Sequence, residues 1–213
     1  QKPDNSPFVI ENGVLLRCTA TSGTVTVPQG VTHIGDGESR VFERGVLKVV
    51  LPDTVCIISA YAFENSTVQE VNLPREVRDI GHGAFRGCDY LKKFFNDAAA
   101  TEIGSQAFQG CSSLTSVTLP NGLTKLGDYA FSGCTSLTSV TLPASLKKIG
   151  SSAFYGCSLT GITLPKDLKK LGDGALAFTN LTSLTLPEGL EELGSGVVSG
   201  CGELTSVTFP KTG

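Results

Sequence analysis

Apolar residues along this chain fall into two short patterns, and the pair returns every 22 to 24 residues. The first is an alternating run that stops at proline. It reads Val46, Val49 and Leu51 before Pro52; Val68, Val71 and Leu73 before Pro74; Leu114, Val117 and Leu119 before Pro120; and Leu137, Val140 and Leu142 before Pro143. It continues with Leu159, Ile162 and Leu164, then Leu181, Leu184 and Leu186, then Leu204, Val207 and Phe209. The last two members of each set stand two apart, so they share one face of a strand and the residue between them faces the other way. Proline ends each strand because it has no N–H to donate. The second pattern is a shorter apolar pair closing on glycine, as in Leu123 and Leu126 before Gly127, or Leu146 and Ile149 before Gly150. It predicts a second short strand or extended segment, with the glycine supplying a tight corner. Ala-Phe follows the corner at Ala62-Phe63, Ala84-Phe85, Ala107-Phe108, Ala130-Phe131 and Ala153-Phe154. This predicts one or two helical turns that carry an aromatic column.

A unit repeated this closely cannot bury its apolar face alone, so the copies must stack on one another around a continuous core. The expected fold class is therefore a β-rich repeat solenoid of about eight coils of 22–24 residues. Residues 1–7 read as a flexible N-terminus. Asn12-Gly13 between two apolar runs predicts a hairpin, and residues 8–27 read as a cap over the first coil, with the repeats in 28–213. Two copies depart from the pattern. Gly35 to Gly45 is irregular and charged, and Phe94 to Ala100 replaces the usual strand, with Asp97 in the proline slot.

The combined pattern C-xx-L-xx-[VI]-x-LP-xx-L-xx-IG-xx-AF resembles the BspA-like, or Treponema pallidum type, class of leucine-rich repeats, over roughly residues 25–210. The opening FVIENGVLL resembles the lead-in of such proteins. The resemblance implies a right-handed, curved leucine-rich-repeat solenoid and a bacterial surface or secreted protein. It also implies adhesion: binding of host matrix proteins, host receptors or neighbouring cells. No binding motif is shared across that class, so no site residue is carried over from it.

Charge adds a restriction. The net charge is -3, so attraction to nucleic acid or acidic membranes is not expected from the whole-molecule field. No apolar run reaches the length of a membrane span. The absence of Met and the polar start QKPDNSP predict a processed or trimmed chain from which a signal peptide has been removed, and hence an extracellular or cell-surface protein. Of seven cysteines, Cys88, Cys111, Cys134 and Cys157 repeat every 23 residues and Cys201 takes the same slot. That is the spacing of the repeat, not of a zinc or redox motif. The ladder reads as buried free thiols, with disulfides between rungs or metal binding as alternatives.

No nucleophile–base or phosphate-cradle motif is present, and His33 and His82 fall in slots that other copies fill with surface residues. The chain therefore reads as non-enzymatic, without cofactor, catalytic or metal residues. Candidate binding residues come from three places. Stacking puts Lys125, Lys147, Lys148, Lys169 and Lys170 on one surface, flanked by acidic copies; this fits an acidic partner surface or a sulfated glycan, or else a solvated edge kept charged against aggregation. Outward strand slots hold Thr118, Thr141, Thr163 and Thr185, either as a ligand-facing surface or as ordinary solvated strand. The irregular copies offer Arg40, Arg44 and Phe95, the last being either an exposed anchor or a residue packed under a distorted loop. The leading function is a surface adhesin domain with a protein ligand, either a matrix protein or a receptor. A structural spacer is the alternative, and a glycan binder is disfavoured because it wants aromatic platforms. A monomer or weak end-to-end association is expected.

Overall fold

A computed structural model describes residues 5–96 and 98–211, with the side chains of Phe95 and Asn96 outside the description. The chain winds into a β-solenoid of about eight turns. Phe8–Glu11 and Val14–Cys18 form an antiparallel hairpin. Its corner residues Asn12 and Gly13 have φ of 51° and 80°, which is what a two-residue primed turn demands. The second hairpin strand then pairs in parallel with His33–Ile34, so the hairpin is continuous with the first coil.

The second, shorter apolar pattern builds the longest sheet. After the hairpin it runs through Ile57–Ile58, Asp79–Ile80, Glu102–Ile103, Lys125–Leu126, Lys148–Ile149, Lys170–Leu171 and Glu192–Leu193, ten strands in all. Two residues per coil suffice because each aliphatic residue points into the core while its neighbour points out. Ile80, Ile103, Leu126, Ile149 and Leu171 are all buried.

The proline-ended runs behave differently. They form one four-stranded sheet (Gly23–Thr26, Val46–Val50, Glu70–Leu73, Lys93–Asn96) and two separate pairs, Ser116–Thr118 with Ser139–Thr141 and Ser183–Thr185 with Ser206–Thr208. The Leu159–Leu164 run, expected to be a strand, is not one. Gly161 stands there where adjoining copies carry Ser139 and Ser183, and glycine weakens a strand by its entropy and missing side chain.

The Ala-Phe segments are turns, and the described residues contain no helix. Each segment carries two left-handed residues four apart, such as Tyr129 (φ 59°) and Gly133 (φ 72°). Left-handed residues interrupt a right-handed helix. The freed N–H groups point along the stack. Tyr129, Phe131 and Gly133 donate to the carbonyls of Ser151, Ala153 and Tyr155 in the next coil, at 2.9, 2.8 and 2.7 Å. The turns thus form their own inter-coil ladder, and few backbone groups on this side are left without partners.

Inside, Phe42, Phe63, Phe85, Phe108, Phe131 and Phe154 stack face to face, with ring centroids 4.6 to 5.7 Å apart. Phe42 comes from the irregular copy, where Val41-Phe42 replaces Ala-Phe and is equally buried. Phe94 takes the inward slot that pairs with Val71 and packs its ring 4.8 Å from Phe108. The corner glycines serve a different end from the one expected. At Gly127 a Cβ would lie 2.5 Å from Ser105 N and 2.6 Å from Gly104 C, so glycine is needed there to let consecutive coils touch backbone to backbone. The last described coil leaves Leu193 and Phe209 exposed around an apolar groove of about 350 Å³.

Candidate binding surface

The lysines lie on the outer face of the ten-stranded sheet because their partners in each two-residue strand point inward. Parallel register places Asp79, Glu102, Lys125, Lys148, Lys170 and Glu192 opposite one another in that order. One residue back along the chain, Lys147 and Lys169 stack likewise: Lys169 N donates to Lys147 O and Glu191 N to Lys169 O, each at 2.9 Å. The five lysines therefore come together as two adjoining columns.

Their environments differ. Lys125 Nζ is 3.6 Å from Glu102 Oε2, Lys169 Nζ 2.8 Å from Glu191 Oε1, and Lys170 Nζ 2.6 Å from Glu192 Oε2. Hydrogen bonds donated to Glu191 and Glu192, reinforced by the charge of those carboxylates, hold Lys169 and Lys170 above the ordinary lysine pKa. The bond from Lys170, its charge and that of Lys148 hold Glu192 below the carboxylate range. Among the described residues, neither Lys147 nor Lys148 has a carboxylate within 4.0 Å. The unneutralised part of the patch is thus two cations wide, bordered by ion pairs on both sides.

The threonine slots are only partly aligned. Thr118 pairs with Thr141 and Thr185 with Thr208, all four exposed, while Thr163 lies in the coil that forms no strand. Upstream the column ends at Asn72, whose side chain turns back to clamp Leu51 N and O at 2.7 and 3.0 Å. Arg40 and Arg44 are exposed. Arg40 reaches Glu43 at 3.5 Å, and Arg17 meets the same carboxylate at 3.3 Å. The backbone of Phe95 pairs with Asn72, and its side chain lies outside the described residues.

The cysteines are free. Cys88, Cys111, Cys134 and Cys157 are buried, and each Sγ donates to the carbonyl of the core phenylalanine one coil earlier, at 3.0 to 3.2 Å. Burial pushes the Cys88 thiol up to about 12. Burial likewise raises Cys111 well above its ordinary value. A hydrogen bond with Cys157, together with burial, does the same for Cys134. Neutral thiols of this kind are small core residues with a weak donor. Thr179 stands in for Cys in one coil and donates to Leu176 O at 2.8 Å. Among the described residues no group of three metal-ligating side chains occurs, and there is no helix long and apolar enough to cross a membrane.

Two clusters on the turn face were not anticipated. Arg86 bonds Glu64 through Nε at 2.9 Å and Gln106 through Nη1 at 2.7 Å, with its guanidinium 5.4 Å from the Tyr61 ring centre. Farther along, the exposed rings of Tyr155 and Phe178 meet at 5.1 Å. The sequence signal for Phe178 was present: it occupies the slot held by glycine at Gly133, Gly156 and Gly200.

Residues 9–111, 38–130 and 101–213 match the model for the BspA type leucine rich repeat region. The chain belongs to this family. BspA-type repeats thus account for the coil pattern across nearly the whole chain. Solved structures agree. A leucine-rich repeat protein from Bacteroides ovatus is 27% identical with a TM-score of 0.69, covering 95% of this chain and 68% of its own. The T. pallidum leucine rich repeat protein is 27% identical with a TM-score of 0.66, covering 90% and 82%. One from Eubacterium ventriosum is 26% identical with a TM-score of 0.68, covering 84% and 52%. No curated protein matches the chain.

Proposed function

We propose that this BspA-type chain is a non-enzymatic, extracellular protein-binding module that serves as a bacterial surface adhesin domain. The observation that carries the reading is the pair Lys147–Lys148, which stands without carboxylate partners among the described residues, between Lys125 and Lys170 on a regular parallel ladder. A rigid row of cations on short parallel strands presents a fixed pattern to an acidic partner surface. Such complementarity mainly sets encounter rate and specificity. The exposed Thr118 and Thr141 pair, the Thr185 slot and the Arg40–Arg44 region widen the surface available to a protein ligand. Family membership and the bacterial relatives support a surface role facing host matrix proteins or receptors.

Surface plasmon resonance on immobilised fibrinogen and fibronectin tests this reading. Saturable binding that weakens with salt and with Lys147→Glu/Lys148→Glu supports it; binding indifferent to both sinks the site. A spacer role, favoured by the unbroken core from Leu15 to Val197, gives no saturable binding to either. Light scattering tests end-to-end association through the exposed Leu193 and Phe209.

A further inference from the structure

We infer that Tyr155 and Phe178 form a saccharide-binding platform on the turn face, separate from the lysine ladder and selective for neutral oligosaccharides. Phe178 is 54% exposed and holds φ at 55°. Bulky residues rarely adopt this left-handed conformation, and it is costly for them. The equivalent slot holds glycine in five other coils (Gly87, Gly110, Gly133, Gly156, Gly200) and Asn65 in a sixth, all with positive φ. An unfavourable backbone that keeps a large ring in water calls for an explanation outside folding. One face of the ring is supported from behind. At Gly200 a Cβ would fall 2.6 Å from Phe178 Cδ1, so the ring lies where only a glycine leaves room for it.

Tyr155, 41% exposed, meets Phe178 with the ring planes tilted by 53°. Two tilted, exposed rings make a shallow V, not a closed stack. The surroundings are stripped of bulk and charge. Across turn segments 150–156, 172–178 and 194–200 the single charged side chain is Asp173, and it already accepts Ser195 N at 2.8 Å. Ser152 lies three residues before Tyr155, and Ser199 accepts the Phe178 N–H at 2.8 Å through its carbonyl. The hydroxyls of both serines make no hydrogen bond among the described residues.

A sugar ring presents apolar C–H faces and a rim of hydroxyls. Aromatic faces take the first, and serine hydroxyls and backbone carbonyls take the second. The one charged side chain of these turn segments, Asp173, is engaged with Ser195 N, so they offer no cation to select an acidic sugar. The earlier coils of the same face differ, because there Arg86 is closed into a network with Glu64, Gln106 and Tyr61. The aromatic platform whose apparent absence counted against glycan binding is therefore present in the later coils.

The test is an NMR titration of the whole chain with cellohexaose, laminarihexaose and chitohexaose, following aromatic resonances. Phe178→Asn keeps a residue that accepts the left-handed slot, as Asn65 does, and Tyr155→Ala changes an exposed ring. The inference expects saturable binding of at least one hexasaccharide, with Tyr155 and Phe178 resonances shifting. It expects at least a tenfold loss in each variant and no loss in Lys147→Glu/Lys148→Glu. It also expects the thermal midpoint of Phe178→Asn to be unchanged or raised. No binding of any of the three at millimolar concentration overturns it. So does binding unaffected by both substitutions, or a large fall in the midpoint of Phe178→Asn, which makes the ring structural. Loss of fibrinogen or fibronectin binding in these variants, without sugar binding, assigns the rings to a protein contact instead.

Discussion

Lys148 and Lys170 stand directly opposite each other on adjacent parallel strands, yet among the described residues Lys170 has a carboxylate at hand, Glu192 at 2.6 Å, and Lys148 has none within 4.0 Å. Lys125 flanks Lys148 on the other side. Lys148 is therefore a cation between two cations, where like charges in register oppose stability. Lys148→Glu should relieve this by facing both neighbours with a carboxylate. The expected outcome is a gain of about 0.2–1 kcal/mol, the range for exposed opposite-charge pairs, read from urea unfolding at low ionic strength and shrinking as salt is added. A residue whose removal stabilises the chain is retained for another purpose, and this substitution separates the two.

Phe108 touches three aromatic neighbours, Phe85, Phe131 and Phe94, with centroids at 5.0, 5.0 and 4.8 Å. Phe108→Ala leaves a hole in mid-column and should cost about 3–5 kcal/mol. Because each coil contacts only its neighbours, the loss should be local at first. Hydrogen exchange should therefore quicken in the two adjoining coils before the ends of the stack, and a uniform loss of protection would contradict the column as described.

Gly127 and Gly122 make a matched pair. A methyl at Gly127 collides with the backbone of the preceding coil, whereas a Cβ at Gly122 meets nothing within 4 Å. Gly127→Ala should destabilise by about 1–3 kcal/mol or more, as overpacking does. Gly122→Ala should be neutral or slightly stabilising through the unfolded chain. Equal midpoints in urea for the two variants would count against backbone contact between coils.

The thiols give a pH signature. Burial raises Cys88 from 9.0 to about 12. Below pH 9.0 the thiol is neutral in both folded and unfolded chains, so its packing contribution is fully present there. As pH rises from 9.0 towards 12 the unfolded chain ionises first and stability falls. Cys111 and Cys134, also raised, act in the same direction. Near neutral pH a thiol reagent should modify the half-buried Cys56 and Cys201 quickly and the five buried cysteines only on unfolding. Rapid modification of Cys111 in the folded protein would overturn the assignment.

The stack was legible in the sequence because every copy repeats the same inward aliphatics, and Leu126, Ile149 and Leu171 had to superpose once the period was seen. The column was legible from Ala-Phe, except at Phe42, where Val41 replaces alanine and charged neighbours mask the match. The conformation of the turns was not legible. Ala-Phe followed by polar residues suits a helical turn, and only the glycine two residues after the phenylalanine, as at Gly87, Gly110, Gly133 and Gly156, marks one of the two left-handed positions. The lysine columns could be placed from register alone, since parallel pairing at fixed period leaves no freedom. Which lysines are neutralised could not, because Lys170 and Lys148 differ only in what the next coil brings beside them. Phe178 hid in a weak copy, where a departure from glycine looked like decay of the pattern.

The central claim is that the uncompensated Lys147–Lys148 pair recognises an acidic protein surface. Its most direct measurement is the affinity of wild type and Lys147→Glu/Lys148→Glu for immobilised fibrinogen and fibronectin at two ionic strengths, with unfolding midpoints measured alongside. The account expects saturable binding of wild type to at least one of them, weakened by salt, and at least a tenfold loss in a variant that is no less stable. Binding that is equal in both proteins and insensitive to salt would contradict it.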